Sequence, residues 1–173
     1  VIAHPSDAKW ERTTGAGAPI FGDGEIAAIR DFVRDGGGLI VMGETEQDKY
    51  GNNVNALLRE FGIAVDNATL TDHTHCDREV PSWVLADLSA PAPRDMFNLV
   101  EGVKRACFLR SGALSTTNGA RMVARASADA SLPNAGLIAA EQFGAGRVVV
   151  IADSDLFGDD DLERFDHLRL WLN

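Results

Sequence analysis

The chain has 173 residues, of which 45% are hydrophobic and 24% charged, and its formal net charge is −10. This length and composition suit one globular domain with its own core, so we expect residues 1–173 to form a single domain excised from a longer chain. The acidic balance, without any cluster of Lys and Arg, argues against nucleic acid and anionic membrane surfaces as partners. The apolar runs have strand length, which argues against direct membrane insertion. No signal peptide precedes "VIAHPSD", so the compartment stays open with the cytoplasm favoured.

The first predicted elements are the end of a strand, a long loop and a helix. "VIAH" at residues 1–4 is typical of a strand end, and residues 5–22 are polar and rich in Gly and Pro, which predicts a loop. Asp23 fits a helix N-cap, and apolar residues then recur at helical spacing up to Gly36. The positions expected to face the core are Ile26, Ile29, Phe32 and Val33.

A buried strand and a second helix follow. The run "GGLIVMG" is continuously apolar, as in a central strand that is covered on both faces. Asn52 or Asn53 caps the next helix, and Gly62 ends it as a left-handed C-cap. "IAVDNATLTD" predicts another strand.

The second half of the chain is rich in predicted strands. "DHTHCDREVPSW" reads as a loop, and "KRACFLRSGALST" and "ARMVARAS" predict two antiparallel strands. "GLIAAEQFGAGRVVVIAD" predicts a hairpin that turns at "GAG". "DDDLERFDHLRLWLN" predicts a closing helix with Leu162, Phe165, Leu168 and either Trp171 or Leu172 facing inward. Together these elements predict an α/β domain of three layers, flavodoxin-like, with a mostly parallel central sheet and antiparallel β additions.

Two polar segments follow predicted parallel strands, and ligands bind at the carboxyl ends of such strands. The segments are "GETEQDKYGNN" and "DSDLFGDDD", which predict an acidic cleft. Glu44, Asp153 and Asp155 are the catalytic candidates, because neighbouring carboxylates can act as an acid/base pair or bind a divalent cation. Capping of helix N-termini is the alternative role for such residues. The candidate ligand-binding residues are His4, Glu44, Thr45, Glu46, Asp48, Lys49, Tyr50, Asn52, Asp153, Ser154 and Asp155.

Two segments of the chain share features with metal-binding motifs. "DSDLFGDDDLER" fails as an EF-hand, because Phe157 and Arg164 stand where ligands are required. "DHTHCD" places His73, His75 and Cys76 together as weak candidates for zinc, but a tetrahedral site needs a fourth ligand. A solvated polar loop is the alternative. We therefore expect no cofactor, apart from a divalent cation in the acidic cleft.

The sequence offers no activated nucleophile. Cys76 is flanked by acidic residues, which raise rather than lower the pKa of a thiol. Cys107 lies in "KRACFLR", as a small buried hydrophobic residue would. No GxSxG elbow is present.

Two stretches carry a resemblance to a known family. "GGGLIVMGETEQDKYGNNVNALLREFGIAVDN" and "GAGRVVVIADSDLFGDDDLERFDHLRLWL" together resemble the GIFT-type domains. Such domains occur in gliding-motility ABC-transporter accessory proteins and in an intraflagellar-transport subunit, and they are related to class I glutamine amidotransferases. The resemblance covers about half of the chain, at its two ends. It implies an amidotransferase-like fold.

The resemblance also implies that the catalytic Cys and His of the amidotransferase relatives are missing from this chain. The amidotransferase relatives carry a Cys at the elbow after the central strand and a His and a Glu after a late strand. In this chain Glu44 or Thr45 stands at the elbow, and the late strand ends in "ADSD" without His. Glutaminase chemistry is therefore not expected. The function that follows is a non-catalytic binding or assembly module for a protein partner, another domain of the parent chain, a small polar ligand or a glycan. The alternative is a carboxylate- or metal-dependent hydrolase that uses Glu44 with Asp153 and Asp155.

Overall fold

The computed structural model describes residues 1–3, 20–88, 98–117 and 119–173. The strands are β1 (Ile2–Ala3), β2 (Gly38–Met42), β3 (Ile63–Asp66), β4 (Trp83–Leu85), β5 (Asp87–Leu88), β6 (Cys107–Leu109), β7 (Ala113–Thr116), β8 (Arg121–Arg125), β9 (Gly136–Phe143) and β10 (Gly146–Ile151). The α-helices are α1 (Asp23–Arg34), α2 (Val54–Arg59) and α3 (His167–Leu172), and short 3-10 helices span Gln47–Tyr50 and Asp155–Phe157.

The main sheet is mixed. Its order is β1-β2-β10-β9-β7-β3, with β8 pairing β9 and β5 pairing β8. Parallel pairing joins β1 to β2 and β2 to β10, and the other pairs in this sheet are antiparallel. The fold class is α/β, as expected, but the parallel part is smaller than the sequence predicts. The predicted hairpin is present, and Gly144 takes the left-handed conformation at its turn.

A second sheet consists of two strands, β4 and β6. Hydrogen bonds join β6 and the residues before it to the C-terminal segment. The Asp166 carboxylate accepts hydrogen bonds from the backbone N–H groups of Lys104 and Arg105. His167 Nε2 accepts from the N–H of Cys107 at 3.0 Å, just inside β6. Backbone donors of a strand edge must find partners when buried, and side chains supply them here.

The first helix begins one residue earlier than predicted, because Gly22 and not Asp23 is its N-cap. The Glu25 carboxylate accepts the N–H of Gly22 at 2.8 Å, which satisfies a donor that the helix leaves open. Val33 is buried, but Phe32 is exposed, and the inward assignment of Phe32 was wrong. Its ring lies against Gly37, which has no side chain to obstruct it.

The closing helix is much shorter than predicted. Residues 158–166 form turns, and α3 covers only His167–Leu172. Phe165 has a φ of 51°, a left-handed conformation that interrupts any continuous helix. Leu168 and Trp171, predicted to face inward, are exposed, as is Leu172. The apolar spacing was correct for a helix, but most of the segment is held by side-chain bonds to β6 and its neighbours.

The outer strand β3 is also shorter than the predicted "IAVDNATLTD", and its free edge is covered. The Asn55 side chain on α2 accepts the N–H of Val65 at 2.8 Å and donates to its carbonyl at 2.9 Å. An amide side chain therefore takes the place of a neighbouring strand, which protects an exposed edge from pairing with other chains. Gly62, directly before β3, is left-handed with φ 68°, but α2 ends earlier than predicted, at Arg59 with Glu60 as its C-cap.

Candidate functional site

The turn after β2 is where the sequence predicts an elbow. Gly43 donates its N–H to the Ile151 carbonyl at 2.7 Å, so the turn stays joined to β10. A Cβ on Gly43 would lie 3.0 Å from a methyl group of Val65, so this glycine provides a close approach and not a left-handed turn. The left-handed residue is Glu46, with φ 48°. Its exposed carboxylate reaches Lys49 Nζ at 3.4 Å.

This elbow is bonded to the turn that follows β3. Thr45 is buried and its hydroxyl is hydrogen-bonded to the hydroxyl of Thr69. The N–H of Glu46 donates to the Ala68 carbonyl at 2.9 Å, and the N–H of Asp48 donates to Asn67 Oδ1 at 3.1 Å. The polar groups of the elbow are therefore partnered within the fold.

The turn after β10 brings the second set of candidates. Asp153 is 1% exposed, and its carboxylate accepts the N–H of Leu109 at 2.6 Å and the N–H of Asp155 at 2.9 Å. Ser154 Oγ donates to Glu44 Oε1 at 2.7 Å, which joins the two turns. Asp153 thus links β10 to β6 and shapes its own turn.

Glu44, Asp153 and Asp155 lie together, since a carboxylate oxygen from each falls within 4.8 Å of the others. Within the described residues this is the one group of three acidic, His or Cys side chains close enough to share a metal ion. Burial raises the pKa of Asp153 to about 7, against the two backbone hydrogen bonds, which lower it, and with a smaller contribution from the charges of Asp155 and Glu44. A carboxyl that is partly protonated near neutral pH has the character of a general acid.

Tyr50 closes one side of this group. Its side chain is buried, and burial raises the pKa of its hydroxyl, while the charges of Glu44 and Asp155 act in the same direction. Lys49 Nζ lies 5.0 Å from the centre of the Tyr50 ring, a cation–π contact, and lowers that pKa. The Tyr50 hydroxyl is therefore close enough to interact electrostatically with Lys49 and with the carboxylates of Glu44 and Asp155.

The two asparagines after the elbow have different roles. Asn53 is the N-cap of α2, and Asn52 Oδ1, one residue earlier, accepts the N–H of the first helical residue Val54 at 3.0 Å. Asn53 holds the chain before α1, because its Oδ1 accepts from Ile20 and Phe21 and its Nδ2 donates to the Phe21 carbonyl. Asn52, a predicted ligand-binding residue, serves the helix in this structure.

The structure does not gather His73, His75 and Cys76 into a group that could share a metal ion. His73 is exposed, His75 Nδ1 lies 3.0 Å from the Thr74 hydroxyl, and Cys76 makes an isolated bridge with Val84. The loop is organised by Asp72, which is fully buried and accepts the N–H groups of Thr74 and His75. Despite burial, hydrogen bonds from Ser127 and this loop lower the pKa of Asp72 to about 2.

Sequence reasoning missed the connections that the fold creates. His4 lies outside the described residues. The bonds from Leu109 to Asp153 and from Ser154 to Glu44 join positions 44 and 110 residues apart in the sequence. Position next to a strand end was a signal for each residue, but no local pattern signalled these pairings.

Comparison with known proteins places the chain in a family. Residues 15–173 match the family described as "Domain of unknown function (DUF4350)", and the chain belongs to this family. No curated protein is significantly similar to the chain.

Solved structures show a similar fold. The chain is similar to the "mmIFT52 N-terminal domain", with a TM-score of 0.72 and 20% identity over 91% of this chain and 71% of that one. It is also similar to the cytoplasmic protein STM1381 from Salmonella typhimurium LT2, with a TM-score of 0.57 and 17% identity over 86% of this chain and 58% of that one. The cytoplasmic protein STM3548 from Salmonella typhimurium gives the same TM-score and identity over 57% of its length. The chain thus spans less than two thirds of the Salmonella proteins. Family and neighbours fit a GIFT-like domain.

None of the helices in the described ranges has the length and apolar composition that a bilayer crossing requires.

Proposed function

We propose that this chain is a non-catalytic binding or assembly module on an amidotransferase-like scaffold. The observation that carries the proposal is the state of the elbow: Thr45 is buried against Thr69, and Glu44 accepts a hydrogen bond from Ser154. An activated nucleophile needs an adjacent base that can take its proton. The elbow here has no thiol, and its side chains are bonded to neighbouring turns.

The cysteines support the same conclusion. Cys107 is buried inside β6, and burial raises the pKa of its thiol to about 12, so it stays protonated. Cys76 lies in the loop before β4. The thiolate is the reactive form of cysteine, and neither position belongs to the elbow. Glutamine hydrolysis through a thiolate has no candidate among these residues.

An assembly role is also supported by the family and the fold. The family description assigns no activity, and the likeness to the IFT52 N-terminal domain is a likeness of fold. The GIFT-type domains that the sequence resembles occur in transporter accessory proteins and in a transport subunit, where binding other chains is the expected task. We therefore favour a protein partner or a neighbouring domain of the parent chain over a small polar ligand or a glycan.

The test is a panel of hydrolysis reactions. Purified protein is incubated with glutamine, a carboxylic ester, a phosphate ester and an aryl glycoside, and product is compared with that from a Glu44→Gln variant. We expect no turnover by either protein. Turnover that Glu44→Gln abolishes, without a change in the unfolding midpoint, would contradict a non-catalytic function.

The second candidate function is a carboxylate- or metal-dependent hydrolase. The closeness of Glu44, Asp153 and Asp155 favours it, because a hydrolase of this kind needs the three carboxylates within a few ångströms of one another. A divalent cation would take carboxylate oxygens from all three residues and polarise a water or a substrate oxygen.

Thermal unfolding with Mg²⁺, Ca²⁺ and Mn²⁺, against an EDTA control, separates the two functions. A cation that binds only the folded chain raises the midpoint by mass action. The matched variants are Glu44→Gln inside the group and Glu46→Gln outside it, where the carboxylate is exposed. A flat series supports the binding module. A shift that is lost in Glu44→Gln and kept in Glu46→Gln supports the metal-dependent alternative.

A further inference from the structure

A groove runs along one face of β2 and β10, from Arg147 near the start of β10 to Ile151 at its end. It has a volume of about 250 Å³ and is open on one side. Ile40, Val149 and Ile151 supply much of its floor, and Leu170 and Trp171 of α3 form a wall. The register pairs Ile40 with Val149, and alternating side chains of a strand face opposite sides, so the floor belongs to one face of the sheet.

The two faces of these strands are covered unequally. Val41, Val148 and Val150, which alternate with the groove residues, are fully buried. Ile40, on the groove face, is only half-buried. The six-residue helix α3 is the helix that lines this face within the described residues. Val149 and Ile151, also on the groove face, are 8% and 5% exposed, so the cover of this face is thinnest at Ile40.

Apolar surface continues beyond the groove. Trp171 is 41% exposed and Leu172 is 70% exposed, and both belong to the helix that borders it. Contiguous exposed apolar residues mark interaction surfaces in soluble proteins. A small molecule confined to the groove would leave this surrounding surface in water, whereas an extended partner would cover it.

The charges around the groove are distributed differently from those of the whole chain. The chain has 26 acidic residues, yet none of the described side chains that line the groove is acidic. The charged side chain at the groove is that of Arg147, which is exposed. An apolar surface bordered by a cation is complementary to an apolar partner that carries acidic residues at its edge.

We propose that this groove binds an amphipathic helix of a partner protein, with acidic residues beside its apolar stripe. The proposal rests on the binding-module function and names the surface and the class of partner. A helix of about 14 residues is about 21 Å long, which matches the length of roughly 20 Å expected for the six residues of β10. Trp171 is the aromatic anchor and Arg147 selects the charge of the partner. A second copy of the chain is a poorer occupant, because each copy has a net charge of −10.

The test uses two synthetic helical peptides as probes. Both have about 14 residues, blocked ends and the same leucine stripe at helical spacing, and they differ only in having Glu or Lys beside the stripe. Binding to the full chain is measured by fluorescence anisotropy. We expect the Glu peptide to bind at least about tenfold more tightly than the Lys peptide. Arg147→Glu should remove or reverse this preference, and Trp171→Ala should weaken binding of the Glu peptide about tenfold.

Matched variants make the result specific. Arg59→Glu reverses an exposed charge on α2, and Leu168→Ala removes an exposed leucine of α3 that does not line the groove; both should bind like the original chain. Equal binding of the two peptides, or no binding by either below about 100 μM, overturns the proposal. A dimer in sedimentation that Trp171→Ala dissociates overturns it in favour of a second copy. These outcomes leave the hydrolysis panel unaffected, so failure of the groove is distinguishable from failure of the binding-module function.

Discussion

The turns at the carboxyl ends of β2 and β10 and the groove along one face of these strands use their side chains differently. At the carboxyl ends, Glu44, Asp153 and Asp155 lie within 4.8 Å of one another, and hydrogen bonds link these turns to each other and to β6. Along the groove face, apolar side chains and Arg147 border an open groove, and Trp171 beside it is 41% exposed. The polar turns are more closely connected to the fold by hydrogen bonds than the groove is.

This difference shows that a polar side chain near a strand end is not necessarily available to bind a ligand. Carboxylates at the switch point of an α/β sheet point to ligand binding by position alone. When their oxygens accept backbone N–H groups, however, they also satisfy donors that would otherwise be buried without a partner. Most side chains that line the groove are apolar and accept no such hydrogen bonds. We therefore expect substitutions at the carboxyl ends to change stability and substitutions at the groove to change binding.

The largest expected effect is that of Asp153→Ala. The change leaves the N–H groups of Leu109 and Asp155 without the acceptor they have now, and Asp153 is buried. Each buried unpaired donor costs about 1–3 kcal/mol, so we expect the free energy of unfolding to fall by about 2–4 kcal/mol. Urea unfolding followed by circular dichroism measures it.

The control for this variant is Asp159→Ala, in an exposed turn of the same segment. A change of less than about 0.5 kcal/mol is expected there. If Asp153→Ala proved more stable than the original chain, the carboxylate would be a strained functional group, and the contrast between the turns and the groove would be lost.

The second effect is a pH dependence caused by His167. The ring is buried, its Nε2 accepts the N–H of Cys107, and its Nδ1 lies 2.8 Å from the Asp161 carbonyl and donates to it in the neutral form. Burial is the main cause that lowers the pKa of His167. Because the unfolded chain binds a proton first, this contribution to stability is complete above about pH 6.5 and is lost as the pH falls towards the lower pKa of the folded state.

The measurement compares the original chain with His167→Gln, whose amide can accept from Cys107 and donate to Asp161. Between about pH 6.5 and 5, the free energy of unfolding should fall more steeply in the original chain, by up to about 1.4 kcal/mol per pH unit. Asp153, with its raised pKa, stabilises the folded chain as the pH falls, but it is present in both proteins. Parallel curves would show that folding does not lower the pKa of His167 and would contradict its burial in the neutral form.

Much of the secondary structure was predictable because local patterns determine it. The periodicity from Asp23 to Arg34, the left-handed Gly62 and the "GAG" hairpin are local features, and the structure has all three. The closing helix was overpredicted because apolar spacing carries no information about competing bonds. Arg164 pairs with Asp77 at 2.9 Å, an attachment across 87 positions that a local pattern cannot reveal.

The candidate site was predictable in position but not in its connections. Placing Glu44 and Asp153 at adjacent strand ends followed from the pattern of buried strands. Whether their oxygens were already partnered depended on β6, which approaches from another sheet. The groove was not predictable, because either Trp171 or Leu172 was assigned to the core, whereas both are exposed, and an exposed face becomes visible only when the cover of each strand is known.

A smaller effect is expected from Glu44→Gln. The amide oxygen still accepts from Ser154, while the negative charge beside Asp153 and Asp155 is removed. These changes nearly cancel, so we expect the free energy of unfolding to change by less than about 1 kcal/mol, measured by urea unfolding. An increase well above this value would show that repulsion dominates the group, as in a site that is built for a cation.

The smallest effect on the free energy of unfolding is expected from Arg147→Glu. Arg147 is exposed at the start of β10, and a charge reversal at such a position changes the free energy of unfolding by less than about 0.5 kcal/mol. The same variant should lose its preference for the acidic peptide. Unfolding and anisotropy measurements on one preparation test both expectations, with Arg59→Glu as the matched reversal.

A loss of binding together with a loss of stability would make Arg147 a structural residue. A loss of binding alone would separate the two regions of the sheet, with stability at the carboxylates and recognition at the groove.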